Sequence, residues 1–413
     1  MPTTPGAIEP PMGNLGNSPA TQRKQSRGTA LDRLLDGSPQ RRRLIVAVAP
    51  AVVYLAIRLV GLLVLAWLSA ANDEAILDNL RAWDGQWYLE IAQNGYGGVD
   101  PSMVDGFGNR YPETPLAFFP GYPLLIMAFA LIPGVSATGG AITASLACGV
   151  AAAYGLARLG RRIGGSEGVG LLLVVLFAAA PMSVVLSMAY SEALFCALAI
   201  WALIGVIERN WLLAGLCCAA AGLVRPTAAA LIGVIGLAAL VAVVQRKDTW
   251  RPWLAMLLAP SGMLLYIGWV GVQTGNPTGY FALQQRGWSS QFDGGVATGQ
   301  FLLESLTTEK SVFETFTTWV VLAALVLMVL CLRQRMPWPL LVFAAAVLVL
   351  DLGSDGLMYS KVRLMLPAFP LLIPVAIGLA RRRTTTAVTT AVLLVFFGSW
   401  FGAYSLTAWQ YAI

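Results

Sequence analysis

The feature that most constrains this sequence is the recurrence of apolar runs of about 20 residues from residue 44 to the carboxyl end, the length a helix needs to cross a hydrocarbon core of about 30 Å. Of the 413 residues, 57% are hydrophobic and 12% are charged, whereas soluble domains run near 45–50% apolar and about 25% charged. Backbone polar groups in lipid must be satisfied inside the segment, and these runs are too long and uniform for barrel strands. The expected fold is an all-α polytopic membrane protein. The chain has no histidine, which removes imidazole metal sites, histidine bases and serine–histidine triads. Its five cysteines, Cys148, Cys196, Cys217, Cys218 and Cys331, sit inside apolar runs without metal spacing and read as small packing residues. The net charge of +6 does not point to nucleic acid, because the basic residues gather at the ends of the runs.

Residues 1–43 are polar and end in Arg41, Arg42 and Arg43, so they read as a disordered basic cytosolic tail and not as a cleaved signal. That tail places the first span, about 44–70, with its amino end in the cytosol. The next loop, about 72–115, carries Asp73, Glu74, Asp78, Asp84, Glu90, Asp100, Asp105 and Glu113 against Arg81 and Arg110 only, which suits the external face. The segment 116–134 holds Pro120, Pro123 and several aromatics. If it spanned, every later basic cluster would fall outside. If it lies in the interface, Arg158, Arg161 and Arg162, then Arg246, Lys247 and Arg251, then Arg333 and Arg335, then Arg381, Arg382 and Arg383 all fall inside. The remaining spans are then expected at about 138–157, 168–188, 190–207, 211–224, 227–244, 253–272, 316–332, 338–352, 364–380 and 385–407. Roughly eleven crossings result, with the carboxyl end outside. Residues 44–413 form one membrane domain, with a first external loop over 72–134 that includes juxtamembrane helices and a second over 273–315. No internal repeat is visible, which gives an inverted-repeat transporter no support.

On this topology the outer face collects the candidate site. Asp84 stands in WDGQWY, between Trp83 and Trp87 and before Tyr88. It reads either as a cap or as an acid held where lipid meets water, able to deprotonate a hydroxyl presented from the membrane. Glu192, after Tyr190 in YSEALF, opens a span; it is either a dipole-complementing cap or a second acid orienting a sugar hydroxyl or an acceptor. Arg225 precedes Pro226 at an outer turn and reads either as a snorkelling cation or as a bidentate phosphate ligand. Lys361 and Arg363 break the positive-inside pattern and form a second cationic candidate. Arg286 is a third, with Trp288 suited to stacking on a sugar. There is no phosphate-cradling glycine loop, and Asp351 and Asp355 have only weak metal spacing. Neither a nucleotide-sugar donor, nor a metal, nor another cofactor is expected.

In order and spacing, WDGQWYLEIAQNGY, AFFPGYPLL, YSEALF and GLVRPTA resemble the PIG-V-like (GPI mannosyltransferase 2 type) membrane mannosyltransferases of the GT-C glycosyltransferase class. The resemblance covers most of residues 44–380, and the Ala-, Gly- and Arg-rich composition suits a bacterial, actinobacterial-like member. It implies a catalytic Asp in the first external loop, here Asp84, with Glu192 and Arg225 at the second and third motif positions. It implies a polyprenyl-phosphate mannose donor and transfer on the external face. The expected protein is thus a multi-pass plasma-membrane hexosyltransferase that inverts the anomeric centre, with Asp84 as general base and a lipoglycan or other envelope glycan as acceptor. A different lipid-linked sugar, such as arabinose or glucose, and a lipid or solute transporter are the alternatives.

Overall fold

The structure is a computed structural model that describes residues 39–409 and 411. The expected tail lies outside the described residues as far as residue 38, and residues 39–43 already belong to the first helix. Among the described residues the chain is helical, with a lone antiparallel bridge between Phe292 and Ser354. The all-α expectation is met.

Helix α1 spans Pro39–Ala71, and α2 (Ile76–Leu80), α3 (Asp84–Asn94) and α4 (Gly121–Ala130) follow as short pieces. Then come α5 (Ala137–Gly164), α6 (Glu167–Ala178), α7 (Glu192–Ile207), α8 (Trp211–Gly222) and α9 (Ala228–Val244). The α10 (Arg251–Leu258) and α11 (Ser261–Thr274) helices run almost continuously, and α12 (Gly279–Trp288) and α13 (Val296–Thr307) occupy the second long loop. The chain closes with α14 (Val312–Arg333), α15 (Trp338–Leu352), α16 (Lys361–Leu364), α17 (Ile373–Ala380) and α18 (Thr384–Thr407).

All eleven apolar runs are found as whole or broken helices, and they differ in length. Among the described residues, five helices are long and apolar enough to cross a membrane: Arg43–Ala71, Ala137–Gly164, Arg251–Thr274, Val312–Arg333 and Thr384–Thr407. A sixth is added if Met358–Leu364 and Leu366–Ala380, bent by 60°, count as one span. The runs at α6, α7, α8, α9 and α15 make helices of 12–17 residues, about 18–26 Å at 1.5 Å per residue and so shorter than the hydrocarbon core. The physical reason is local. Helix α6 stops before Pro181, and α8 stops at Gly222, ahead of Pro226. Segment 116–134 likewise yields only a 3₁₀ turn, Thr114–Ala117, and the ten-residue α4, which is too short to span.

Small residues let the helices approach closely. A side chain on Gly149 of α5 would collide with the Tyr54 ring of α1, and one on Gly160 would meet the Gly170 backbone of α6. The ends are set by capping. Ser136 accepts from the Gly139 N–H to start α5, and Gly165, at φ 75°, stops it. A reciprocal Ser311–Glu314 capping box starts α14. Leu55, Leu59, Leu63 and Trp67 of α1 are exposed, as on a lipid-facing surface, while Arg58 of the same helix is buried.

The two ends of α7 divide the polar residues. At its carboxyl end Glu208 takes a bidentate contact from Arg158, and Arg209 pairs with Asp248 beyond α9. At its amino end Glu192 meets arginines from two other segments.

Candidate active site

Asp84 is delivered by a tightly held turn. The end of α1 and the following loop are tied by Asn79, whose amide donates to Ser69 Oγ (3.1 Å) and Glu74 Oε2 (2.9 Å). Trp83 then adopts φ 55°, ψ −120°, a conformation costly for a bulky residue. That twist turns the chain so that Asp84 opens α3, where the helix dipole favours a carboxylate. The turn is docked on the segment between α6 and α7. Leu80 O accepts from Ala189 N at 2.8 Å, and a Cβ on Gly85 would stand 3.3 Å from the Ala189 carbonyl oxygen. Glycine at 85 therefore allows the close approach that brings Asp84 beside Tyr190 and Glu192.

Four charged side chains then form a chain of alternating sign. Asp84 Oδ2 accepts from Arg363 Nη1 at 2.7 Å. Arg363 Nε lies 3.6 Å from Glu192 Oε1, and Arg225 Nη1 lies 2.6 Å from that same oxygen. The Arg225–Glu192 approach is a close ion contact whose angles fall outside hydrogen-bond geometry, and neither Glu192 oxygen has a hydrogen-bond partner among the described residues. Side-chain exposure falls from 28% at Asp84 to 13% at Arg225, 8% at Arg363 and 1% at Glu192. The carboxylate open to solvent is thus Asp84, and its Oδ1 makes no hydrogen bond to the described residues.

A polar and aromatic shell fixes these groups. Arg225 Nη1 donates to Ser191 Oγ at 3.1 Å, and Ser191 Oγ shares a proton with the Tyr88 hydroxyl at 3.0 Å. The Arg363 guanidinium lies 5.1 Å from the Tyr190 ring centroid, a cation–π arrangement. Burial pushes the Tyr88 hydroxyl up to about 12, with Arg225 opposing. Burial also holds Tyr190 well above its ordinary value, reinforced by the Asp84 carboxylate and opposed by Arg363. Both phenols therefore stay protonated at neutral pH. Arg225 itself is aimed by α4, since Gly121 N donates to Leu223 O at 2.7 Å in the turn that leads to it.

The second loop closes over this end. Trp87 stacks on Phe118 (centroids 5.2 Å apart), and Trp288 of α12 meets Phe118 edge-on at 5.5 Å. Asp293 N and Gly294 N donate to Gly353 O, and Asp355 N donates to Gln291 O. Asp293 caps α13 through Gly295 N and Ala297 N, and those bonds hold its carboxyl below the usual range.

The structure brings together Asp84, Tyr88, Tyr190, Glu192, Arg225 and Arg363, and it separates other expected members. Lys361 lies apart from the quartet: its buried ammonium donates to Asp351 O at 2.7 Å and Ser354 O at 2.8 Å, which ties α16 to the turn after α15. Arg286 lies 3.8 Å from Glu113 and over the Tyr111 ring at 3.7 Å, with no contact to the quartet. Trp288 turns its ring to Phe118 as part of the loop core, and Trp83 stays exposed. Glu192, read either as a dipole-complementing cap or as a second acid, lies in the first turn of α7 enclosed by cations. Among the described residues there is no group of three or more Cys, Asp or Glu side chains that could hold a metal. The cysteines are free and buried or half-buried.

Sequence reasoning missed two groups. Arg58, buried in α1, donates to Ala178 O and Ser183 O and to Ser183 Oγ (3.0 Å), which caps the end of α6. Its signal was a lone arginine inside an apolar run. Ser191 was the other, visible only as the residue inside YSE.

A scan against protein-family profiles finds no match, and a comparison with curated proteins finds none either. Among solved structures the chain is similar to ArnT from Cupriavidus metallidurans bound to undecaprenyl phosphate, at 14% identity over 88% of this chain and 76% of that one, TM-score 0.48. The same protein in the apo state matches at 14% identity over 78% of this chain and 70% of that one, TM-score 0.46.

Proposed function

We propose that this chain is a GT-C-class glycosyltransferase that moves mannose from polyprenyl-phosphate mannose to a lipid-linked or envelope glycan acceptor at the external face of the plasma membrane, with inversion at the anomeric carbon. One observation carries the reading: a solvent-reachable carboxylate, Asp84, stands 2.7 Å from a buried guanidinium, Arg363, and a second guanidinium, Arg225, lies on the other side of Glu192. The chemistry needs such a pair of functions. An acceptor hydroxyl attacks the anomeric carbon and its proton passes to Asp84, whose free Oδ1 is the atom to take it. The bond from the anomeric carbon to the phosphate oxygen breaks, and polyprenyl phosphate leaves with that electron pair. Arg225 and Arg363 offset the charge that gathers on the departing phosphate. A phosphate leaving group needs no general acid, so one base suffices, unlike the paired carboxylates of glycosidases. The motif resemblance supports mannose as the sugar.

The test is transfer of radiolabelled mannose from polyprenyl-phosphate mannose to membrane lipids. The wild type is expected to transfer, and Asp84→Asn is expected to lose about 10²–10⁴ of the rate while remaining folded and inserted. Near wild-type transfer by the Asn variant would remove Asp84 as the base. Transfer of a different lipid-linked sugar by the wild type would keep the mechanism and replace mannose.

A further inference from the structure

We infer that Glu192 is the positioning residue that sets the charge balance of the site: by sharing Arg363 with Asp84 and holding Arg225, it limits how tightly donor phosphate is gripped and keeps Asp84 from being drawn further onto Arg363. The inference rests on the glycosyltransferase reading above.

Glu192 lies in the first turn of α7, where a carboxylate complements the helix dipole, and its side chain meets the two guanidiniums. It is 1% exposed, so no sugar or acceptor hydroxyl reaches it in this arrangement. Both its oxygens lack hydrogen bonds, and its ion contacts are the two guanidiniums. A carboxylate buried this deeply is expensive to desolvate, and the two guanidiniums are what offsets that cost. Its effect is electrostatic. Asp84, Arg363, Glu192 and Arg225 sum to zero formal charge, two of each sign. Without Glu192 the two guanidiniums would share Asp84 alone. The site would carry a formal +1, hold a phosphate more tightly in both substrate and product, and draw Asp84 further onto Arg363.

The expected signature runs against intuition: neutralising a residue at the heart of the site improves binding and impairs turnover. Purified full-length chain is titrated with decaprenyl phosphate, read by tryptophan fluorescence, and transfer kinetics are measured with the sugar-loaded donor. Glu192→Gln is expected to bind decaprenyl phosphate about tenfold more tightly, the scale of one uncompensated charge a few ångströms away at intermediate dielectric. Donor KM falls with it and kcat falls, a pattern that lost folding does not produce. Glu192→Asp keeps the charge and is expected to bind within about threefold of wild type. A Gln variant that binds no more tightly than wild type overturns the inference. So does an Asp variant that gains as much affinity, because shape and not charge would then be the cause. A wild-type chain that binds no decaprenyl phosphate overturns the polyprenyl-donor reading itself.

Discussion

Glutamate and arginine meet at both ends of α7, in two different environments. At the carboxyl end Glu208 is 19% exposed and Arg158 47% exposed, and two short contacts at 2.9 and 2.5 Å join them in water. At the amino end Glu192 and Arg225 are 1% and 13% exposed, and a second arginine crowds the same carboxylate. Exposed pairs contribute about 0–1 kcal/mol. Buried ones must first offset desolvation, and apolar replacements are often as stable. Stability therefore accounts for the first pair and gives no reason for the second. The difference is one of burial: the end that keeps its ion contacts away from water is the end with a solvent-reachable Asp84 beside it.

The sharpest way to break this comparison is at Arg363. Arg363→Gln removes the group that touches both Asp84 and Glu192. Transfer is expected to fall about 10²–10³-fold, the cost of losing one preorganised charge partner in a transition state. Retention of activity within a few-fold, measured in the same membrane assay, would mean that the buried cluster is scaffold after all.

Much of this architecture was legible in the sequence, for physical reasons that differ by element. The apolar runs declare themselves because each must be helical in lipid, and WDGQWY stands out because an acid between two tryptophans is unusual at a membrane surface. Glycine at 85 and the YSE turn were readable as neighbours of that acid. The partner of Asp84 could not be read: Arg363 lies 279 residues away, and its place depends on the turn between α15 and α16 that Lys361 ties through two carbonyls. Lys361 and Arg363 looked equivalent as cations breaking the charge pattern, and tertiary structure separated them. Helix lengths were misjudged for a similar reason. Hydropathy sees the run 168–188 as one segment, whereas Pro181 and the left-handed Met182 end α6 and begin the turn that carries Tyr190 and Glu192 to the site.

That same turn gives an intermediate test. Arg58 satisfies the carbonyls where α6 breaks, far from water and with no carboxylate partner among the described residues. Arg58→Gln cannot reach all three acceptors, and each buried group left unpaired costs about 1–3 kcal/mol. The melting temperature in detergent is expected to drop clearly. An unchanged melting temperature would mean that the break is held from its other side, by the Ala189–Leu80 bond to the Asp84 turn.

The smallest effect belongs to the exposed end of α7, and its pH dependence separates it from the buried end. Arg158 holds the Glu208 carboxyl below its ordinary value, chiefly through their hydrogen bonds. A carboxyl depressed in the folded state contributes stability that is complete above its unfolded value, about 4.3 for glutamate, and is lost as pH falls through the folded value. Glu208→Gln is therefore expected to cost less than about 1 kcal/mol at neutral pH, after allowance for solvent screening, and to cost progressively less below about pH 4. Transfer activity at pH 7 should not change, because no contact links Glu208 to the quartet across the length of α7. Thermal unfolding of wild type and variant at pH 7 and pH 4 reads the difference. A large loss of activity in Glu208→Gln would sink the division of labour between the two ends, since it would show the surface pair acting on chemistry about 24 Å away, the length of a 16-residue helix.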